Sequence, residues 1–223
     1  VVTPFKGGDE EDFWTLLAIC AFEDGDDQGR ADVAQSIYNR LQAALTDKLY
    51  LKTNPSIAKI IKSDAQYEPA FNRSNGGPND MKVHPNWKNI KDMNTAVKAL
   101  MSKKDNGFTD EEKAKKRLKE VYLALKNPTF QAESISFIQG RTDFLSISEG
   151  NVEKRNKKKK AGDQDPSGKR GTFVMRETNT PNNVYGWAYN YIKNNVSSPP
   201  QFWNKFEDEF KDIDFLKNVD KVS

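Results

Sequence analysis

Apolar residues return at helical spacing along much of the chain. Phe13, Leu16, Leu17 and Cys20 follow i, i+3, i+4, i+7, the stripe of an amphipathic helix, and predict a first helix over residues 9–23. Asp9 is a suitable N-cap and acids fill the first turn. Asp24-Gly25 supplies a left-handed stop. Ala34, Ile37, Tyr38 and Leu41 share one face of a second helix, from Gly29 to Leu45. Asn54-Pro55-Ser56 opens a short helix through Ile57, Ile60 and Ile61. Residues 71–86, rich in Asn, Gly and Pro, read as a long loop, a feature that in compact domains is often functional.

Met93, Ala96, Val97 and Leu100 mark another helix. Thr109 with Glu112 forms a capping box for the next, whose face carries Leu118, Val121, Tyr122 and Leu125, and which Asn127-Pro128 ends. From Ser134 to Ile147 the helical period is lost and extended segments are expected. Residues 151–171 read as a solvated, mobile basic loop, 183–195 as an aromatic helix and 199–223 as an amphipathic tail. No internal repeat appears. Many helices and few strands make the class α+β, mainly α.

Composition narrows the chemistry. The chain has 223 residues, 36% of them hydrophobic and 30% charged. That is polar for a folded domain, but the apolar residues lie in periodic runs, which argues against wholesale disorder. No apolar run approaches the ~20 residues of a membrane span, and the opening VVTPFKGGDEED lacks the apolar core of an export signal. A net charge of +3 is too balanced to be a nucleic-acid footprint by itself. With one cysteine and one histidine, a Cys/His zinc site lacks ligands. A nucleophile–histidine device would have to use His84, within the Pro- and Asn-rich stretch. Cys20 sits in an apolar stripe and reads as a small buried hydrophobe. Carboxylates are left as the chemistry-bearing groups, with no metal or organic cofactor called for.

Glu23 stands out among them. It closes an apolar helix, where the negative end of the helix dipole disfavours its charged form. Desolvation by neighbours such as Phe22 acts in the same direction. Both raise the pKa, as a general acid working near neutrality requires. A glutamate at a helix end is more often simply solvated, so this pattern alone does not assign a function.

The surrounding residues carry a resemblance. Glu23 followed by Gly29-x-x-x-Val33-Ala34-x-x-Ile37-x-Asn39-Arg40 resembles the motif of SleB-like cell-wall hydrolases: a glutamate, a turn, and a helix reading G-Q-x-A-V-A-x-V-x-x-N-R. Asn54-Pro55-Ser56-Ile57-Ala58-x-Ile60-Ile61 is similar to that family's P-x-(S/T)-(I/V)-x-x-V-I. Gln66-Tyr67-Glu68-Pro69 resembles its Q-F-(S/E) element in a phage-type form. Gly140-Arg141-Thr142-Asp143-Phe144-Leu145 and Gly171-Thr172-Phe173 resemble two weaker elements that follow. The stronger part covers residues 13–71, the weaker part extends to about 175, and nothing beyond is covered. The turn after Glu23 is shorter than in spore-type members and carries Asp24, Asp26 and Asp27. The last element has Thr172 and Phe173 where the family places G-N-H.

The resemblance implies a lysozyme-like domain over 1–175, with 176–223 as a helical extension. It implies cleavage of the β-1,4 bond between N-acetylmuramic acid and N-acetylglucosamine in peptidoglycan, with Glu23 as acid and then base, as in a lytic transglycosylase. Gln66, Tyr67, Glu68 and Thr142 are the implied substrate contacts. An amide offers donor and acceptor together, and a tyrosine face can stack on a sugar, although Tyr67 also suits a core. A hydrolase would add a second carboxylate ~5–9.5 Å away, for which Asp26, Asp27 and Glu68 are candidates. As bland alternatives, the two aspartates are turn formers and surface acids, and Asn39 and Arg40 brace the turn. The expected partners are glycan strands and, by analogy with phage forms, other virion proteins. The corresponding location is a virion or the bacterial wall and periplasm.

Two other readings stay open. One is a non-catalytic virion or assembly protein that keeps the lysozyme-like body and docks through 176–223. The other is a nucleic-acid module using Lys157–Lys160, which leaves the Glu23 pattern unexplained. A lysine run of this kind is more often a solvated loop.

Overall fold

In a computed structural model, residues 10–23, 26–47, 54–63, 67, 70–72, 82–102, 108–138, 140, 144–146 and 173–175 are described. Among them the chain is mainly helical, with α1 (Glu10–Glu23), α2 (Asp27–Asp47), α3 (Ile57–Ile61), α4 (Met93–Met101), α5 (Glu111–Lys126) and α6 (Pro128–Ile138). A 3₁₀ turn spans Pro85–Trp87. Two short antiparallel ladders complete the set: β1 (Phe71–Asn72) with β2 (Lys82–Val83), and β3 (Phe144–Ser146) with β4 (Phe173–Met175).

Helix α1 is central. Every residue from Asp12 to Ala21 is buried, and the helix packs on α2, α3, α4 and α5. The stripe of Phe13, Leu16, Leu17 and Cys20 is thus only part of its contact surface, because Trp14, Ala18 and Ile19 are buried on the other faces. A helix apolar all round is what such a position needs. The Phe13 ring meets Trp14 edge-on at 5.0 Å and Tyr122 of α5 at 6.1 Å. Cys20 is a buried free thiol.

Helix α2 begins before and ends after the expected Gly29–Leu45. Asp26 is the reason for the early start: its Oδ1 accepts from Gly29 N at 2.8 Å, and its carbonyl accepts from Arg30 N at 3.0 Å. It therefore caps the helix, and Gly29 lies inside the first turn. The helix is buried from Gly29 to Ala44, although it carries Arg30, Asp32, Gln35, Ser36, Asn39, Arg40 and Gln42.

Buried polar groups require partners, and α2 supplies several internally. Ser36 Oγ donates to Val33 O at 2.7 Å, and Gln35 Nε2 to Asn39 Oδ1 at 3.1 Å. Asp32 is served from outside by α6, where Ser134 Oγ donates to its Oδ1 at 2.7 Å. Gln28 Nε2 links the same two helices, donating to Ser134 Oγ at 2.9 Å and Phe130 O at 3.0 Å.

Helix α3 starts where Asn54-Pro55-Ser56 indicated, with Ser56 accepting from Lys59 N. A second acceptor comes from far away: buried Asp12 of α1 accepts from Ala58 N at 2.9 Å. Asn54 takes φ 42°, a left-handed conformation that asparagine tolerates better than most residues. An ion pair between Lys62 and Glu11 ties the other end of α3 to α1.

Three expectations are corrected. The loop over residues 71–86 contains the β1–β2 ladder, with Phe71 opposite Val83, and the 3₁₀ turn. The cap of α5 is Asp110, which accepts from Lys113 N at 2.8 Å, one residue later than the Thr109 box. An acidic side chain directly before the helix fills that role. Residues 134–138 are helical within α6. Asn127-Pro128 ends α5 as expected, and Pro128 also stands at the first position of α6, where a missing N–H costs nothing. Asn127 Oδ1 accepts from Thr129 N at 2.9 Å, so a new cap follows one helix directly with another. The extended expectation holds at 144–146. The expected basic loop, aromatic helix and tail lie outside the described residues.

Candidate functional site

Glu23 is the last residue of α1 and is half-buried. The last turn of α1 carries no basic residue, so nothing on that turn offsets the negative end of the helix dipole. Phe22, partly buried against the core, anchors this end. Its ring lies 5.8 Å from that of Trp87 and meets Phe108 edge-on at 5.2 Å. Arg117 of α5 stands over the outer ring, 5.7 Å from the Phe108 centroid.

Trp87 is held in turn by the 3₁₀ segment. His84 caps it, with Nδ1 accepting from Asn86 N at 3.1 Å and its carbonyl accepting from Trp87 N at 2.8 Å. His84 N donates to Ala70 O at 2.9 Å, which fixes the turn to the residues just before β1. The lone histidine thus has a structural role. An aromatic group built from three separate segments backs the end of the helix that Glu23 closes.

The motif helix is α2. Asn39 and Arg40 are buried within it. Arg40 places its guanidinium 5.3 Å from the Tyr67 ring centroid, and Tyr67 is only 2% exposed. The tyrosine is a core residue with a cation on its ring, so in this structure it presents no stacking face to a sugar. The packing role is the one observed. The Arg40 side chain thus reaches the residue-67 segment.

Two of the three candidate second carboxylates, Asp26 and Asp27, have structural partners. Asp26 is exposed and caps α2 through Gly29 N. Asp27 pairs with Arg30 Nη1 at 2.8 Å. Gln66, Glu68 and Thr142 lie outside the described residues. Strands β3 and β4, which include Phe144-Leu145 and Phe173 of the two weaker elements, pair with Leu145 opposite Val174 and Ser146 opposite Phe173.

Sequence reasoning missed the Gln28–Asp32–Ser134 joint and the Asp12 acceptor for α3. A signal for the joint existed. Gln28, Asp32, Gln35, Asn39 and Gln42 form a row at helical spacing, which ordinarily marks a solvated face. Among the described residues no group of three or more His, Cys, Asp or Glu could hold a metal ion. Nor is any helix among them long and apolar enough to cross a membrane. Comparison with family models, with curated proteins and with solved structures yields no match.

Proposed function

We propose that this protein cleaves the glycan strands of peptidoglycan as a lytic transglycosylase, with Glu23 as its acid and base on a lysozyme-like body. The observation that carries this reading is the setting of Glu23. It is a half-buried carboxyl at the C-terminal end of a buried helix, backed by Phe22, Trp87 and Phe108 and followed by the buried motif helix. A proton on Glu23 would pass to the glycosidic oxygen as its bond to C1 of the muramoyl residue breaks. The carboxylate so formed would then take the proton of the muramoyl 6-hydroxyl as O6 bonds to C1, closing a 1,6-anhydro ring. Neutral atoms balance and no water is consumed.

We take the single-carboxylate route because, of the three candidate second carboxylates, Asp26 is engaged as a helix cap and Asp27 in an ion pair, and Glu68 is assigned to the strand as a polar contact. A hydrolase needs a second carboxylate poised over the sugar. Gln66, Glu68 and Thr142 are the proposed polar contacts to the strand, and the proposed setting is a virion that opens the wall locally.

Zymography on purified peptidoglycan, with wild type beside Glu23→Gln, tests the assignment. Clearing by wild type and a loss of about 10²-fold or more in the variant are expected, the scale of general acid–base catalysis. The variant should keep the wild-type circular dichroism and urea midpoint. Absence of wild-type clearing on several wall types refutes the enzyme and favours a structural virion role. Mass spectrometry of the digest should show anhydro-muramic ends; reducing ends would mean a hydrolase.

A further inference from the structure

Helices α2, α5 and α6 leave a small cavity between them, of about 10 Å³. That is at the lower edge of the ~10–15 Å³ a single water needs. Its apolar walls include Ala34 and Leu125, and its polar lining is Gln35 and Tyr38 from α2 with Gln131 and Ser134 from α6. Tyr38 is 6% exposed, and its hydroxyl has no hydrogen-bond partner among the described residues. A buried hydroxyl left in that state carries a penalty that native proteins ordinarily relieve with protein or water.

The other lining groups show what could relieve it. Ser134 Oγ is engaged at once by Asp32 and Gln28. Gln35 uses Nε2 on Asn39, and Gln131 uses Nε2 on Leu125 O at 2.7 Å. Each of these two amides keeps its carbonyl oxygen as an acceptor. Among these lining groups the Tyr38 hydroxyl is buried without a partner, and the two amide oxygens supply acceptors on the same cavity. Buried waters typically make about three hydrogen bonds, and one water matches this set: it accepts from the tyrosine and donates twice. Burial, and then the nearby Cys20 thiol, hold the Tyr38 hydroxyl well above its ordinary pKa, so it stays a donor across the physiological range.

We propose that this cavity is a specific site for one structural water, accepting from the Tyr38 hydroxyl and donating to the side-chain carbonyls of Gln35 and Gln131. The water joins the motif helix α2 to α6 beside the Gln28–Asp32–Ser134 contacts. The inference stands independently of the catalytic reading.

The sign of one substitution tests it. With the water present, Tyr38→Phe strips it of a partner, and the unfolding equilibrium constant should rise about five-fold, the scale of one net hydrogen bond. Without the water, the same change removes an unsatisfied buried hydroxyl and should be neutral or stabilising. A high-resolution crystal structure of wild type should show one ordered oxygen within ~2.7–3.2 Å of all three groups. The peak should be weakened or lost in Tyr38→Phe. A dry cavity in the wild-type density, or a Tyr38→Phe protein as stable as wild type or more so, overturns the assignment.

Discussion

Replacing Ser134 with alanine removes a single oxygen from the joint between α2 and α6. Ser134 is 1% exposed and Asp32 is fully buried. The hydroxyl donates to Asp32 Oδ1 at 2.7 Å and accepts from Gln28 Nε2 at 2.9 Å. Gln28 is not orphaned by the change, because it also donates to Phe130 O at 3.0 Å and approaches Asp32 at 3.4 Å. The main loss falls on the buried carboxyl, which gives up its short bond from α6. A hydrogen bond to such a group contributes roughly 1.5–3 kcal/mol, so a destabilisation of about 2 kcal/mol is expected. For a chain of this size that is a fall of about 4–8 °C in Tm.

Urea denaturation followed by far-UV circular dichroism measures the effect, with an unchanged m-value showing that stability and not the denatured state has moved. Ser136→Ala is the control. It lies on the same helix but is exposed, and should stay within about 0.5 kcal/mol of wild type. A Ser134→Ala protein as stable as the control would refute the view that Asp32 depends on α6.

Two further outcomes follow from the caps. Asp12→Ala removes the long-range acceptor for Ala58 N and should cost about 1–2 kcal/mol. Ser56→Ala at the half-buried local cap of α3 should cost less; the reverse order in urea midpoints would contradict the role given to Asp12. Asp92 caps α4, and its carboxyl is held below the usual aspartate range, first by the hydrogen bond from Thr95 N and then by the Thr95 hydroxyl. Its contribution is therefore full above the unfolded-state value of about 3.9 and is lost as pH falls through the lower folded-state value. Asp92→Asn keeps an acceptor but cannot titrate, so the stability difference from wild type should shrink on acidification below about pH 4. A difference independent of pH through that range would remove the carboxylate from the account.

Much of the helical frame was legible from residue order. The repeats through Phe13–Cys20, Ala34–Leu41 and Leu118–Leu125 located α1, α2 and α5, because helical periodicity and end signals are local properties of adjacent residues. Cap registers were less secure. Thr109 and Asp110 are adjacent acceptors, and only the backbone geometry selects one. Pro128 illustrates the same limit: a proline can end one helix or open the next. Among the candidate site residues, the place of Glu23 at the end of α1 could be read directly. The burial of Tyr67 beneath Arg40 could not, since it depends on a segment returning to α2.

The sequence by itself determined the helical stretches α1 to α5, that Cys20 faces inward, and that a glutamate closes the first helix. Tertiary structure decided the fate of the polar row on α2. Gln28, Asp32, Gln35, Asn39 and Gln42 have the spacing of a solvated face, yet the four from Asp32 onward are buried and Gln28 is half-buried. Their partners include a serine 102 residues further along the chain. Periodicity states which side chains share a face. Whether water or another helix covers that face depends on groups that meet only when the chain has folded.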